Sequence, residues 1–168
     1  MNNIIILKKY AITYLSKYNT SKKNLDRILH NKVRKMNLEK KDKFILYSSI
    51  ASIIADLEIN KLIDDKNFAQ SKIHSLSLQG KSRFFVKSYL LQKGIERKLI
   101  EKTLENFELE NQNWETKSAK IFARKKRLGM KYSNNFEKDL AKMARAGFNY
   151  NLSKKIYSHS QVSSTHRL

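Results

Sequence analysis

The side chains able to do acid–base or metal chemistry are few: four histidines, His30, His74, His159 and His166, and one adjacent carboxylate pair, Asp64 and Asp65. No histidine stands at ligand spacing from another histidine or a carboxylate, as in H-E-x-x-H. Surface or structural roles are therefore expected for all four. Neighbouring residues on a helix point in different directions, so Asp64 and Asp65 do not form a paired acid–base site. Asp64 stands instead where a helix start needs a cap. The chain has no cysteine, which removes thiolate metal sites, disulfides and a catalytic thiol. Its four scattered glycines cannot form G-x-x-x-x-G-K-[ST], G-x-G-x-x-G or a G-x-S-x-G nucleophile turn. The expectation is a protein that is not an enzyme and uses no metal or cofactor.

Charge is the stronger signal. Against 15 acidic residues stand 35 lysines and arginines, a formal net charge of +20. Such an excess opposes compaction and favours a polyanionic partner. It is uneven: residues 1–57 carry a net +8, residues 58–111 only +2, and residues 112–168 +10. A uniform lysine bias in composition would not leave a near-neutral middle. In "GKSRFFVK" (residues 80–87), Lys81 and Arg83 sit at a helix start, where the dipole disfavours cations, and Lys87 follows one turn later. The plainer alternative is that they shield Phe84 and Phe85. In "KIFARKKRLGMK" (residues 120–131) the bases are denser: residues 117–131 hold seven basic side chains and no acidic one. Four consecutive bases cover more than half of one helical turn and cannot all be neutralised locally. The candidate contacts to a partner or to DNA are thus Lys81, Arg83, Lys87, Arg124, Lys125, Lys126 and Arg127.

These side chains have to be held by helices. There is no proline, and few glycines interrupt the chain, so helix can run almost throughout. Gly94 follows Val86, Tyr89 and Leu90; Gly147 follows Phe136, Leu140, Met143 and Ala144. Both patterns are one-sided helical stripes ended by a residue that adopts the left-handed conformation cheaply. Gly80 and Gly129 are expected to close the helices before them. Further stripes follow: Leu99, Ile100, Thr103, Leu104 and Phe107, then Leu152 and Ile156. The unit is helix, Gly, helix, Gly plus an apolar residue, helix. A weaker first copy carries Tyr14, Leu15 and Tyr18, a cap at Thr20 or Ser21, and Leu25, Ile28 and Leu29. Its turn is expected at residues 31–33, with Val33 where Gly94 and Gly147 stand. Residues 34–44 are expected to be a loop or an extended start of the helix bearing Ile50, Ile53, Ile54 and Leu57. Helical core is the expected place of Phe84, Phe85, Phe107, Phe122, Phe136 and Phe148, ahead of base stacking. Trp114 is expected to anchor packing.

The expected fold is all-α: three tandem three-helix repeats forming an elongated, curved array. The boundaries are 1–60, with a charged insertion near 34–47, then 61–111 and 112–157. Residues 158–168 lack periodicity and are expected to be a disordered tail. The apolar run at residues 4–7 is too short for a signal core, and no run approaches the roughly 20 apolar residues of a membrane span. A cytoplasmic monomer that does not enter a membrane is expected.

Four stretches carry a family resemblance. "AITYLSKYNTSKKNLDRIL" (residues 11–29), "LIDDKNFAQSKI" (62–73), "GKSRFFVKSYLLQKGI" (80–95) and "MARAGFNYNLSKKI" (143–156) occur in order along the chain. Together they resemble the RecX family of small bacterial regulators of the RecA recombinase. The second matches its leucine, apolar, Asp-Asp-x-x-Phe-Ala motif; the third and fourth match its Lys-Gly-Ile and Arg-x-Gly-Phe turns. The chain departs from the pattern at Val33, at residues 34–47 and at Ser88 and Tyr89. The resemblance implies a modulator, mainly an inhibitor. It would bind the groove of the RecA filament on single-stranded DNA and dampen ATPase, strand exchange and coprotease activity in recombination and the DNA-damage response. The alternative from charge alone is a trihelical regulatory or nucleoid protein that binds nucleic acid directly.

Overall fold

The structure, a computed structural model, describes residues 3–129 and 135–159. Among these residues there are nine helices: α1 (Asn3–Leu15), α2 (Lys22–Lys35), α3 (Lys40–Ile59), α4 (Asp65–Leu78), α5 (Arg83–Gln92), α6 (Arg97–Glu110), α7 (Trp114–Lys126), α8 (Phe136–Arg145) and α9 (Tyr150–His159). The protein is all-α. It divides into two compact units. One comprises residues up to Ala69 with Leu91–Leu99; the other comprises Gln70–Leu90 with the described residues from Ile100 onward.

In the first unit, Leu7 and Ala11 of α1, Leu25, Leu29 and Val33 of α2, and Leu46, Ile50, Ile53 and Leu57 of α3 form one buried cluster. The i, i+4, i+8 spacing of Leu25, Leu29 and Val33 carries α2 past the turn expected at residues 31–33. The helix runs to Lys35 and ends at Met36 with an extended backbone, φ −71° and ψ 139°. Val33 is fully buried inside the helix, so no left-handed residue is needed there. Only residues 36–39 connect α2 to α3, and most of residues 34–44 is helix. In the second unit Ala119, Ala123, Leu128, Met143, Phe148 and Ile156 form a core cluster.

One arrangement occurs once in each unit. Ser21, fully buried, caps α2: its Oγ accepts from the Asn24 N–H at 3.2 Å and donates to the Lys93 carbonyl. The next N–H, that of Lys22, donates to Asp65 Oδ1 at 2.8 Å. Ser82, also fully buried, does the same for α5. It accepts from the Phe85 N–H at 3.1 Å and donates to the Ala146 carbonyl at 2.7 Å. The Arg83 N–H donates to Glu115 Oε1 at 3.0 Å. The exposed N–H groups of a helix start are thus satisfied partly by elements further along the chain. Gly94 and Gly147 lie at these junctions with φ +79° and +87°. A Cβ on Gly94 would stand 2.5 Å from the Lys23 Cβ, and one on Gly147 would stand 2.6 Å from Ser82 Oγ.

Helix α7 ends differently from expectation. Arg127, with φ 51° and ψ 48°, takes the left-handed position after it. The Leu128 N–H reaches back to the Ala123 carbonyl at 2.9 Å, as the Lys81 N–H does to Leu76 at 3.1 Å after α4. Arg127, rather than Gly129, therefore corresponds to Gly80. Gly129 lies two residues beyond and donates to the buried Asp139 Oδ2 at 2.9 Å. The expected tail from Ser158 falls partly in α9, which runs through His159; its remainder lies outside the described residues, as do Lys131 and most of the connection before Asn135.

Candidate partner-binding surface

The seven candidate bases fall into distinct settings, all within the second unit. Arg83, in the first turn of α5, forms an ion pair with Glu108 of α6. Hydrogen bonding to Glu108 raises the guanidinium pKa, against the opposing effect of burial. Lys87, one turn later, pairs with Glu101, also on α6. The near-neutral charge of the middle of the sequence thus has a physical counterpart: two of its bases meet two of its acids. Lys81 holds its ammonium 4.5 Å from the centre of the Phe85 ring, a cation–π contact.

The other four bases lie at the end of α7. The Gly80 turn packs against this helix so closely that a Cβ on Gly80 would come within 2.9 Å of Ile121. Lys125 Nζ donates to the Gln79 carbonyl at 3.1 Å. Lys81 and Lys125 therefore flank one turn, and the two basic stretches meet there. Arg124, Lys126 and Arg127 are exposed and take part in no ion pair among the described residues. Cations in the last turn of a helix complement its dipole, so Arg124, Lys125 and Lys126 stabilise α7 where they stand. Arg127 is different. A non-glycine residue in the left-handed region costs about 1 kcal/mol or more, and the position holds an exposed guanidinium at the helix tip.

Two phenylalanines are not where the periodicity predicts them. Phe84 is 68% exposed, and Phe85 is about one-third exposed. The first turn of α5 is oriented by Ser82, Glu115 and the Gly147 turn, and that orientation turns positions 84 and 85 outward. Phe148 is buried, and Phe107, Phe122 and Phe136 are half-buried. Trp114 is buried, edge-on to Phe107 at 5.6 Å, with its indole N–H donating to Glu108 at 3.3 Å. It therefore anchors the carboxylate that pairs with Arg83.

Of the side chains that could have suggested catalysis, Asp64, Asp65, His30 and His74 have structural partners, while His166 lies outside the described residues. Asp64 Oδ1 caps its own helix, accepting from the Lys66 and Asn67 N–H groups at 2.7 and 3.1 Å. Asp65 caps α2 instead, a role hidden in the sequence because its partner lies 43 residues away. Burial raises the Asp65 pKa above 3.8, and the Lys22 N–H opposes the shift. His30 stacks on Tyr47 at 5.3 Å, and His74 meets Phe107 edge-on at 6.3 Å. A cleft of about 450 Å³ between α4 and α6 is lined by Gln70, His74, Asn106, Phe107 and Glu110, among others. Among the described residues no three His, Asp or Glu side chains gather as a metal site. No described helix is long and apolar enough to cross a membrane.

Comparison with known proteins places this chain of helices with its buried serine caps, glycine turns and exposed basic helix end. It is 32% identical over 157 residues to a protein of Myxococcus xanthus named "Regulatory protein RecX", covering 89% of this chain and 83% of that one. The chain belongs to the RecX family. The family model for the second three-helix domain of RecX matches residues 64–104, the stretch from Asp64 to the core of α6. A RecX of Streptococcus agalactiae is 30% identical over 120 residues, which span 67% of this chain and 43% of that longer one. In three dimensions the RecX fold is shared with the crystal structure of RecX from Lactobacillus salivarius: TM-score 0.67, 22% identity, 95% of this chain and 97% of that one covered.

Proposed function

We propose that this RecX-family chain is a non-enzymatic regulator, mainly an inhibitor, of the RecA recombinase. In this reading it acts as a cytoplasmic monomer of three tandem three-helix units, 1–60, 61–111 and 112–157. It binds the RecA filament on single-stranded DNA and dampens ATPase, strand exchange and coprotease activity. Membership in the RecX family supports the partner. The observation that carries the site is the end of α7, where Arg124, Lys126 and Arg127 are exposed and carry no ion pair among the described residues. Arg83 and Lys87, by contrast, are already paired with acids of α6.

The test is ATP hydrolysis by RecA on single-stranded DNA, with this protein added at near-stoichiometric ratios. Hydrolysis is expected to fall; an unchanged rate overturns the proposal. The double variant Arg124→Glu, Arg127→Glu is expected to inhibit less. Full inhibition by that variant would move the contact elsewhere while leaving the regulator reading intact. The net charge of +20 favours a second reading, direct binding to nucleic acid. Tight, sequence-specific duplex binding without RecA would support it.

A further inference from the structure

We infer that the first turn of α5 and the start of α9 form an aromatic platform on which unpaired nucleic-acid bases stack, centred on Phe84 and Tyr150. Phe84 is 68% exposed and Tyr150 61%. Most of each ring therefore faces solvent and is open to a stacking partner. They are not left out by disorder. Ser82 fixes the start of α5 through its bonds to the Phe85 N–H and the Ala146 carbonyl. The Phe84 ring then lies against the Gly147 turn, where an added Cβ would be 2.9 Å from its Cδ1. Tyr150 follows three residues later, and Asn149 caps its helix, accepting the Leu152 N–H at 2.8 Å. Both rings are thus displayed by capped helix starts, and the Gly147 turn that Phe84 packs against leads directly into the helix that carries Tyr150.

The surroundings select the occupant. Lys81 caps the face of Phe85 beside Phe84. Arg145 lies two residues before Gly147, exposed and without an ion pair among the described residues. An apolar protein partner would be met by aromatics alone. Aromatics interleaved with cations on a chain of net charge +20 match a single strand, whose bases stack while its phosphates meet the charges. Every base has a π-face, so the platform is tolerant of sequence. This goes beyond the regulator reading and does not depend on it, because the strand is bound directly.

The experiment compares two fluorescent strands of equal length, oligothymidylate and an abasic sugar-phosphate strand, titrated with the full chain in the absence of RecA. The native protein is expected to prefer the thymine strand. Phe84→Ala and Tyr150→Ala are each expected to weaken thymine-strand binding by about 5- to 150-fold, the range for loss of one stacked base, and to leave abasic binding unchanged. Phe84→Tyr is expected to bind like the native chain and Phe84→Leu like Phe84→Ala. Equal affinity of the native protein for both strands overturns the platform. So does native-like thymine-strand binding by Phe84→Leu, which would show that the strand is not held by stacking on this ring. Circular dichroism should show the position 84 variants folded at the temperature of the titration, since most of the side chain is at the surface.

Discussion

The Ser82 hydroxyl donates to the Ala146 carbonyl at 2.7 Å, 64 residues away in sequence, while its oxygen caps the helix that Ser82 itself begins. Ser21 stands in the same relation to Lys93. One side chain thus joins a helix start to a helix end. Both serines are buried, so neither bond can be replaced by water without rearrangement.

Ser82→Ala removes the cap and leaves the part-buried Ala146 carbonyl and the Phe85 N–H without this partner. A loss of about 1–3 kcal/mol is expected, read as a lower urea midpoint at unchanged slope. A loss within a few tenths of a kcal/mol would mean that the junction tolerates an open hydroxyl site. The corresponding change at Ser21 should cost a similar amount.

At Gly94 two penalties add. Left-handed backbone alone costs an alanine about 1 kcal/mol or more, and its methyl would stand 2.5 Å from the Lys23 Cβ. Gly94→Ala is therefore expected to destabilise by more than the backbone effect alone. Lys23→Ala removes the Cδ and Cγ that also crowd this position but keeps the Cβ, so it should rescue only part; Lys23→Gly should rescue more. Equal rescue by both second-site changes would place the conflict further out on the lysine chain.

Asp65 makes the stability of the first unit depend on pH. Burial raises its folded pKa above 3.8, while the unfolded value stays ordinary. Its contribution to stability is therefore fully present below the unfolded pKa and is lost as pH rises through the folded pKa. Asp65→Asn keeps an oxygen to accept the Lys22 N–H and cannot ionise. Its stability relative to the native chain is expected to improve as pH rises from about 3 through that interval, by an amount limited because the side chain is only half-buried. Asp65→Ala, which loses the acceptor, should be less stable at neutral pH by about 1 kcal/mol. Chemical denaturation across pH checks both; a difference that declines with pH would reverse the assignment.

The bases should separate by salt. If Arg124 and Arg127 meet phosphates, replacing both with Ala should flatten the log-log salt dependence of single-strand binding by about 0.7 for each phosphate no longer neutralised. Lys87→Ala opens a half-exposed pair with Glu101. It should change stability by no more than about 1 kcal/mol and the salt slope less than the α7 changes do. Equal slopes in all variants would remove the α7 end from the site.

Much of this architecture can be read from the chain because its signals are local. The stripe of Val86 and Leu90 before Gly94, the stripe of Ile50, Ile53 and Leu57, and the Asp64 cap all depend on residues within a few turns of one another. The turn expected at Val33 is absent for a reason visible in the same terms: Leu25, Leu29 and Val33 continue one buried stripe, and that stripe outweighs analogy with the later glycines. Arg127 shows the limit of reading glycine as the stop signal, since the left-handed position after α7 is held by an arginine.

The helices, their apolar faces, the excess of positive charge and the family likeness are all written in the amino-acid order, because periodicity and motif order need no tertiary contact. Which charges are free depends on packing between distant elements. Arg83 and Lys87 read like Arg124 and Arg127 in one dimension, yet α6 brings Glu108 and Glu101 to the first pair. Packing also turns Phe84 outward, because the direction of a side chain on a short helix is set by what anchors that helix. Here the anchors are Glu115 and the Ala146 carbonyl, 32 and 64 residues from their partners in the chain.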